Sequence, residues 1–178
     1  MKKFVALLSL VLLASCAQGP EHANSAGTPI ASTASSTVSV NTFPSVTLMN
    51  LQTSAKISTK ELLGKPHIFS FWASWCSTCR TEYPILQNKV LSKNIIGINV
   101  QDASASKSLQ ESAQRLMDTN HITIPNYVDV DEALTKALGI VGLPVTIVVD
   151  SKGHIIDRHD GAITQTQIMS FNQEMANQ

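Results

Sequence analysis

Two cysteines three residues apart, Cys76 and Cys79, are the side chains in this 178-residue chain best suited to chemistry. A cysteine reacts as its thiolate, so it needs surroundings that lower its pKa. The residues from Ser77 onward have helical spacing, which places Cys76 at a helix N-terminus and Cys79 one turn further in. Unpaired N–H groups and the helix dipole favour negative charge at that end. Cys76 is therefore expected to be the attacking sulfur. Cys79, more deeply placed, would resolve a mixed disulfide formed between Cys76 and a substrate. Positions i and i+3 of a helix face each other, so the two-residue gap lets the sulfurs meet. As a staple the pair would be weak, because the stabilisation from a disulfide grows with the loop it closes. The pattern points to a disulfide whose work is to open and close.

Zinc is the usual competitor for a C-x-x-C motif, and a structural site takes four ligands. No second C-x-x-C is present, and of His67, His121, His154 and His159 only the last two have H-x₃₋₅-H spacing. Two thiolates can also hold Cu(I), but Met49, Met117, Met169 and Met175 form no clustered metal-binding pattern. No metal, and no cofactor beyond the redox-active disulfide, is expected.

The elements that must position the pair follow from periodicity. Phe43 to Leu51 and Lys56 to Ser58 read as two strands, a hairpin ahead of the main domain. Ser58 or Thr59 can cap a helical turn that Gly64 ends. His67 to Trp72, Ile95 to Val100 and Val145 to Val149 are short apolar runs, the pattern of buried strands. Helical spacing covers Ser77 to about Leu91, Ser106 to about Asn120, Glu132 to Leu138 and Thr164 to Met175. Pro84 must kink the first of these helices or remove one of its bonds. Tyr127 to Val130 reads as a short strand, and Lys152-Gly153 as a turn into a strand beginning at Ile155 and Ile156. Strands alternating with helices predict a mixed α/β sheet covered on both faces.

Outside this domain the N-terminus has its own logic. Lys2 and Lys3 precede an apolar run from Phe4 to Ala14, broken only by Ser9. That run is too short to cross a bilayer core, which takes about 20 residues, and reads as a signal peptide over residues 1–15. Leu13-Ala14-Ser15-Cys16 resembles the lipobox of bacterial lipoprotein precursors. The resemblance implies cleavage before Cys16 and lipid attachment to it, which also removes the oddity of a third cysteine in an exported protein. Several acyl chains anchor stably where one would not. Residues 16–42 hold only Ile30, Val38 and Val40 as large apolar side chains and cannot offset their ordering entropy, so a flexible linker is expected. About 26 such residues span on the order of 28 Å. The folded domain is expected over residues 43–178. Basic and acidic side chains number 13 each, and loss of Lys2 and Lys3 leaves a small acidic excess. No charge bias favours nucleic acid or a membrane surface.

Trp72-Ala73-Ser74-Trp75-Cys76-Ser77-Thr78-Cys79, followed by Arg80-Thr81-Glu82-Tyr83-Pro84, resembles the TlpA/ResA branch of the thioredoxin superfamily. The likeness continues through residues 97–102 (GINVQD), 138–146 (LGIVGLPVT) and 150–155 (DSKGHI), and so covers nearly the whole domain. It implies a thioredoxin-like fold with an N-terminal β-hairpin extension, and extracytoplasmic thiol-disulfide oxidoreductase activity on a membrane tether. Pro144 matches the family's cis-proline, which lies beside the C-x-x-C and leaves the preceding backbone free to pair with substrate. Leu143 would then help shape what binds. Glu82 matches a partly buried acid near the sulfurs, able to exchange the proton of Cys79. Trp75 would cover the disulfide and form part of the substrate surface, while Trp72 packs. Thr78 departs from the family, which often has proline before the second cysteine. A hydroxyl there could stabilise the Cys76 thiolate and make the protein more oxidising.

The resemblance implies reduction of exported thiol proteins in the periplasm or extracytoplasmic space, apocytochrome c among them. Electrons would come from a membrane donor of the DsbD or CcdA type, because the compartment itself oxidises thiols. An oxidase or isomerase and a copper-binding module stay open as alternatives. Nothing in the sequence demands more than a monomer.

Overall fold

The structure, a computed structural model, describes residues 42–88, 94–100 and 106–177, without the side chains of 106–110. The signal peptide, Cys16 and nearly all of the expected linker lie outside the described residues. Seven strands, numbered in chain order, form one sheet in the order β2-β1-β5-β4-β3-β6-β7. They are β1 (Thr47–Asn50), β2 (Lys56–Ser58), β3 (His67–Trp72), β4 (Ile95–Asn99), β5 (Asn126–Val128), β6 (Val145–Val149) and β7 (Ile155–Asp160). The pairs β3/β4 and β4/β5 are parallel, and the other four are antiparallel. The sheet is mixed, as the alternation of elements predicts.

Central β3, β4 and β6 are buried at every residue. Strands covered on both faces read as continuous apolar runs. One face carries Ile68, Trp72, Ile95 and Val148 beneath α1 (Ser77–Leu86), α2 (Ser106–Thr119) and α4 (Gln165–Ala176). The other carries Phe69, Phe71, Ile98 and Ile147 beneath α3 (Ala133–Ala137) and the chain entering at Phe43. Phe43 stacks on Phe69 with ring centroids 4.2 Å apart. Helices thus cover both faces, three on one side and a short one on the other.

Local chemistry sets the element ends. Ser58 and Glu61 form a capping box around a 3₁₀ turn, Thr59–Leu62, ahead of β3. Glu132, at the N-cap of α3, makes no side-chain cap. Asp129 does so instead, accepting from the N–H groups of Leu134 and Thr135 at 3.2 and 2.7 Å. The β6–β7 hairpin turns where expected: the Asp150 carboxylate accepts from the N–H groups of Lys152 and His154 at 2.8 and 2.7 Å. Gly153 holds φ +89° there, and a Cβ would press on Leu63 at 2.9 Å.

Several boundaries differ from expectation. The first strand is only Thr47–Asn50, because Pro44 lacks a ladder donor and its carbonyl accepts the Thr59 hydroxyl. β5 starts at Asn126 and stops at Val128, where the Asp129 carboxylate turns to α3. α1 ends at Leu86 rather than near Leu91, two residues after Pro84 withdraws a backbone donor. Residues 89–93 lie outside the described residues. β7 runs on through the charged Asp157-Arg158-His159-Asp160, as an edge strand allows.

Candidate active site

Trp72 ends β3 at the edge of the site. Its buried indole N–H donates to Asn126 Oδ1 at 2.8 Å, and its ring meets Tyr83 of α1 edge-on, centroids 5.8 Å apart. The Trp72–Asn126 bond passes over Gly97 of β4, where a Cβ would collide with the Asn126 side chain and sit 3.0 Å from the indole nitrogen. Trp72 therefore packs, as expected, but through a hydrogen bond that needs a glycine beneath it.

The chain then loops through Ala73, Ser74 and Trp75 to Cys76, whose N–H donates to the Ala73 carbonyl at 3.1 Å. Cys76 keeps an extended backbone (φ −77°, ψ 102°) and is the N-cap residue of α1. Its Sγ accepts the N–H of Cys79 at 3.1 Å, the place an N-cap oxygen usually takes. The two cysteines are joined by a disulfide, with Cα atoms 5.4 Å apart. Cys76 is 6% exposed and Cys79 fully buried. Of the two residues, only Cys76 keeps any exposed surface. Arg80 braces the loop by donating to the Ser74 carbonyl at 3.2 Å. Trp75, 64% exposed, stands in the loop just ahead of the disulfide. Thr78 is exposed on the first turn of α1.

The sheet brings a distant segment to the same place. Phe71 pairs with Val145, so Pro144 lies beside Trp72 where the chain leaves β3 for Cys76. The Leu143–Pro144 peptide is cis. The Pro144 carbonyl accepts the Gly161 N–H at 2.9 Å. Leu143 is half-buried and Val141 fully exposed. A shallow cleft of about 520 Å³ follows Leu143, Pro144, Arg158 and Asp160. Arg158 forks onto Asp160 at 3.0 and 2.9 Å and donates to the Leu138 carbonyl at 2.6 Å. A larger cavity of about 680 Å³ lies at the other end of the strands, against His67, Leu86 and Ile95, and no cysteine lines it.

Glu82, one turn beyond Cys79 on α1, is only 1% exposed. Its Oε1 accepts the Ile163 N–H at 2.6 Å, and its Oε2 is buried with no hydrogen-bond partner among the described residues. Burial raises its pKa from 4.5 to about 7 against the opposing pull of that N–H. A carboxyl so placed can take or give a proton near neutral pH. No local pattern announces the Ile163 N–H, which lies 81 residues away and arrives at the start of α4. Gly97 and Asn126 are further supporting residues that spacing does not reveal. Cys76, Cys79 and Glu82 thus share one helix, Trp75 adjoins it, and register adds Leu143 and Pro144. No described helix is long and apolar enough to cross a membrane.

The Redoxin family profile matches residues 39–174. The chain is 32% identical over 125 residues to the thiol:disulfide interchange protein DsbE of Pseudomonas fluorescens, covering 69% of this chain and 67% of that one. It is 27% identical over 115 residues to the thiol-disulfide oxidoreductase ResA of Halalkalibacterium halodurans, covering 65% of each. The matched segment thus spans about two thirds of these relatives. A secreted thiol-disulfide isomerase from Corynebacterium glutamicum superposes with a TM-score of 0.64 at 22% identity, over 76% of this chain and 86% of that one, which shows the shared fold. With a disulfide at the head of a helix, a thioredoxin-like sheet behind it and these relatives around it, the chain belongs to the Redoxin family as a TlpA/ResA-like thiol-disulfide oxidoreductase.

Proposed function

We propose that the protein reduces disulfides of exported proteins through Cys76 and Cys79 while tethered to a membrane by lipid on Cys16. The observation that carries the assignment of the two sulfurs is the bond from the Cys79 N–H to Cys76 Sγ at the N-cap of α1. A thiolate at that position would gain from the same donor and from the helix dipole.

In the reduced protein, the Cys76 thiolate attacks one sulfur of a substrate disulfide. That bond breaks, a Cys76–substrate bond forms, and the other substrate sulfur leaves as a thiolate. Cys79 passes its proton to the Glu82 carboxylate and attacks Cys76 Sγ. The Cys76–Cys79 bond closes and the second substrate sulfur is released. Two electrons have moved from the dithiol to the substrate. A membrane donor of the DsbD or CcdA type would restore them.

Trp75, exposed beside the disulfide, and Leu143, half-buried before the cis peptide, supply apolar contact for a substrate segment lying along Pro144. An extended segment placed there gains main-chain bonds as well as side-chain contact. Apocytochrome c, presenting a C-x-x-C pair before haem attachment, is one substrate of fitting chemistry. In the Cys79→Ser variant the mixed disulfide cannot resolve, so exported proteins are expected to accumulate on Cys76 and be released by dithiothreitol. An empty trap would remove Cys76 from the attacking role.

The exposed Thr78 favours a second reading, an oxidase or isomerase, because its hydroxyl can donate to the reduced Cys76 and stabilise the dithiol. Reduction potential separates the two. A value near about −120 mV, the DsbA end of the known range, contradicts a reductase, and one near about −270 mV contradicts an oxidase.

A further inference from the structure

The peptide unit between Ala162 and Ile163 is gripped from both sides. Its N–H donates to Glu82 Oε1 at 2.6 Å, and its carbonyl lies 3.4 Å from His159 Nε2. His159, half-buried on β7, is held in turn by α4, since Gln167 Nε2 lies 3.1 Å from its ring nitrogens. The orientation of that amide is fixed by the capping box of α4: Gln167 Oε1 accepts from the Thr164 N–H at 2.7 Å and from its hydroxyl at 2.9 Å. The amide N–H must therefore face the imidazole. Its nitrogen stands 3.1 Å from both ring nitrogens; with the ring proton on Nε2, Nδ1 accepts the amide N–H and the Nε2 proton faces the Ala162 carbonyl.

The sheet reinforces this connection. Register aligns Gly97, Ser70, Thr146 and His159 side by side across β4, β3, β6 and β7. This row lies on the face covered by α1 and α4, below Trp72, and is polar or small throughout. Ser70 Oγ, Thr146 Oγ1 and Glu82 Oε2 are all buried without a hydrogen-bond partner among the described residues. A polar strip thus runs from the buried interior to the half-exposed imidazole at the sheet edge.

We propose that His159 is a positioning residue for Glu82, acting through the Ala162–Ile163 peptide and held by Gln167. The proposal rests on the reading of Glu82 as the proton partner of Cys79 for its consequence in catalysis, though not for its test. A donor on the Ala162 carbonyl polarises the peptide and strengthens its N–H as a donor to the carboxylate. On β7 the charged neighbours of His159 are Asp157, on the same face of the strand, and Arg158 and Asp160, which pair with each other. β6 and the stretch Gln165–Ser170 of α4 contain no titratable side chain. On α1 only Arg80, Tyr83 and the disulfide cysteines adjoin Glu82, and the one titratable residue of β3, His67, stands at its far end.

The test follows the infrared carboxyl band of Glu82 through a pH titration of the oxidised protein, the band being identified by its absence in Glu82→Gln. His159→Leu removes the donor without opening a space and should raise the Glu82 midpoint by on the order of 0.3 pH unit. His159→Gln can present an amide N–H to the same carbonyl and should titrate as wild type does. If the leucine variant does not fold, His159→Asn, too short to reach, takes its place with the same expectation. An unmoved or lowered midpoint in the variant lacking the donor overturns the proposal, as does an equal shift in His159→Gln. A raised midpoint with rescue supports it. Should that result accompany unchanged thiol-exchange rates in Glu82→Gln, the positioning stands while the proton-transfer role of Glu82 falls.

Discussion

Glu82 shows what one side chain can report about its surroundings. Removed from water and met by a single N–H, its carboxyl is pushed up to about 7 from 4.5. A raised folded-state pKa means that the native protein holds this proton more tightly than the unfolded chain does. The resulting stabilisation is complete below about pH 4.5 and is lost as pH climbs through 7. In the oxidised protein, wild type is expected to lose about 3 kcal/mol more than Glu82→Gln between pH 4.5 and 8. Urea unfolding at a series of pH values checks this, and parallel stability curves would contradict the buried ionisation. In the reduced protein the same substitution is expected to flatten the neutral-pH limb of thiol exchange.

At the scale of elements, the sheet depends on close approach as much as on apolar runs. Gly97→Ala would drive a methyl group into the Trp72–Asn126 hydrogen bond. The expected cost is about 1–3 kcal/mol, read as a lower denaturant midpoint together with a changed Trp72 environment in near-ultraviolet circular dichroism. The strands His67–Trp72 and Val145–Val149 were legible because burial on both faces leaves an unbroken apolar string. Cys76 and Cys79 were legible because their spacing is itself the chemistry. β7 was hidden beyond Ile156 because an edge strand tolerates Asp157, Arg158, His159 and Asp160. α1 is shorter than its spacing predicts, because the helical pattern continues past the point where Pro84 withdraws a donor. The grip on Glu82 was invisible for a different reason: a backbone N–H carries no residue signature, and Ile163 would read as core in any case. Local pattern shows which elements exist. Tertiary pairing decides which groups meet.

For the whole molecule, the apolar run Phe4 to Ala14 and Cys16 are what the proposed location rests on. Cys16→Ser is expected to shift the protein from the membrane fraction to the soluble fraction of the envelope without altering the redox properties of the isolated domain. Membrane association that survives the substitution would remove the lipid tether from the proposal. A tethered domain meets its partners by sweeping a restricted volume, so effective concentration rather than intrinsic affinity would govern its encounters. Shortening residues 16–42 should then slow turnover of membrane-bound partners while leaving a small dithiol reporter unaffected.

One bond has a wider consequence. Because Cys76 Sγ is the atom that caps α1, gain or loss of electrons there also alters how well a helix begins. A thiolate accepts a backbone proton more strongly than a disulfide sulfur does. Reduction would tighten the first turn, and oxidation would slacken it. Redox poise and local folding are then two readings of a single equilibrium. Any substitution that makes this turn easier to form should draw electrons toward the protein, even one that never touches sulfur.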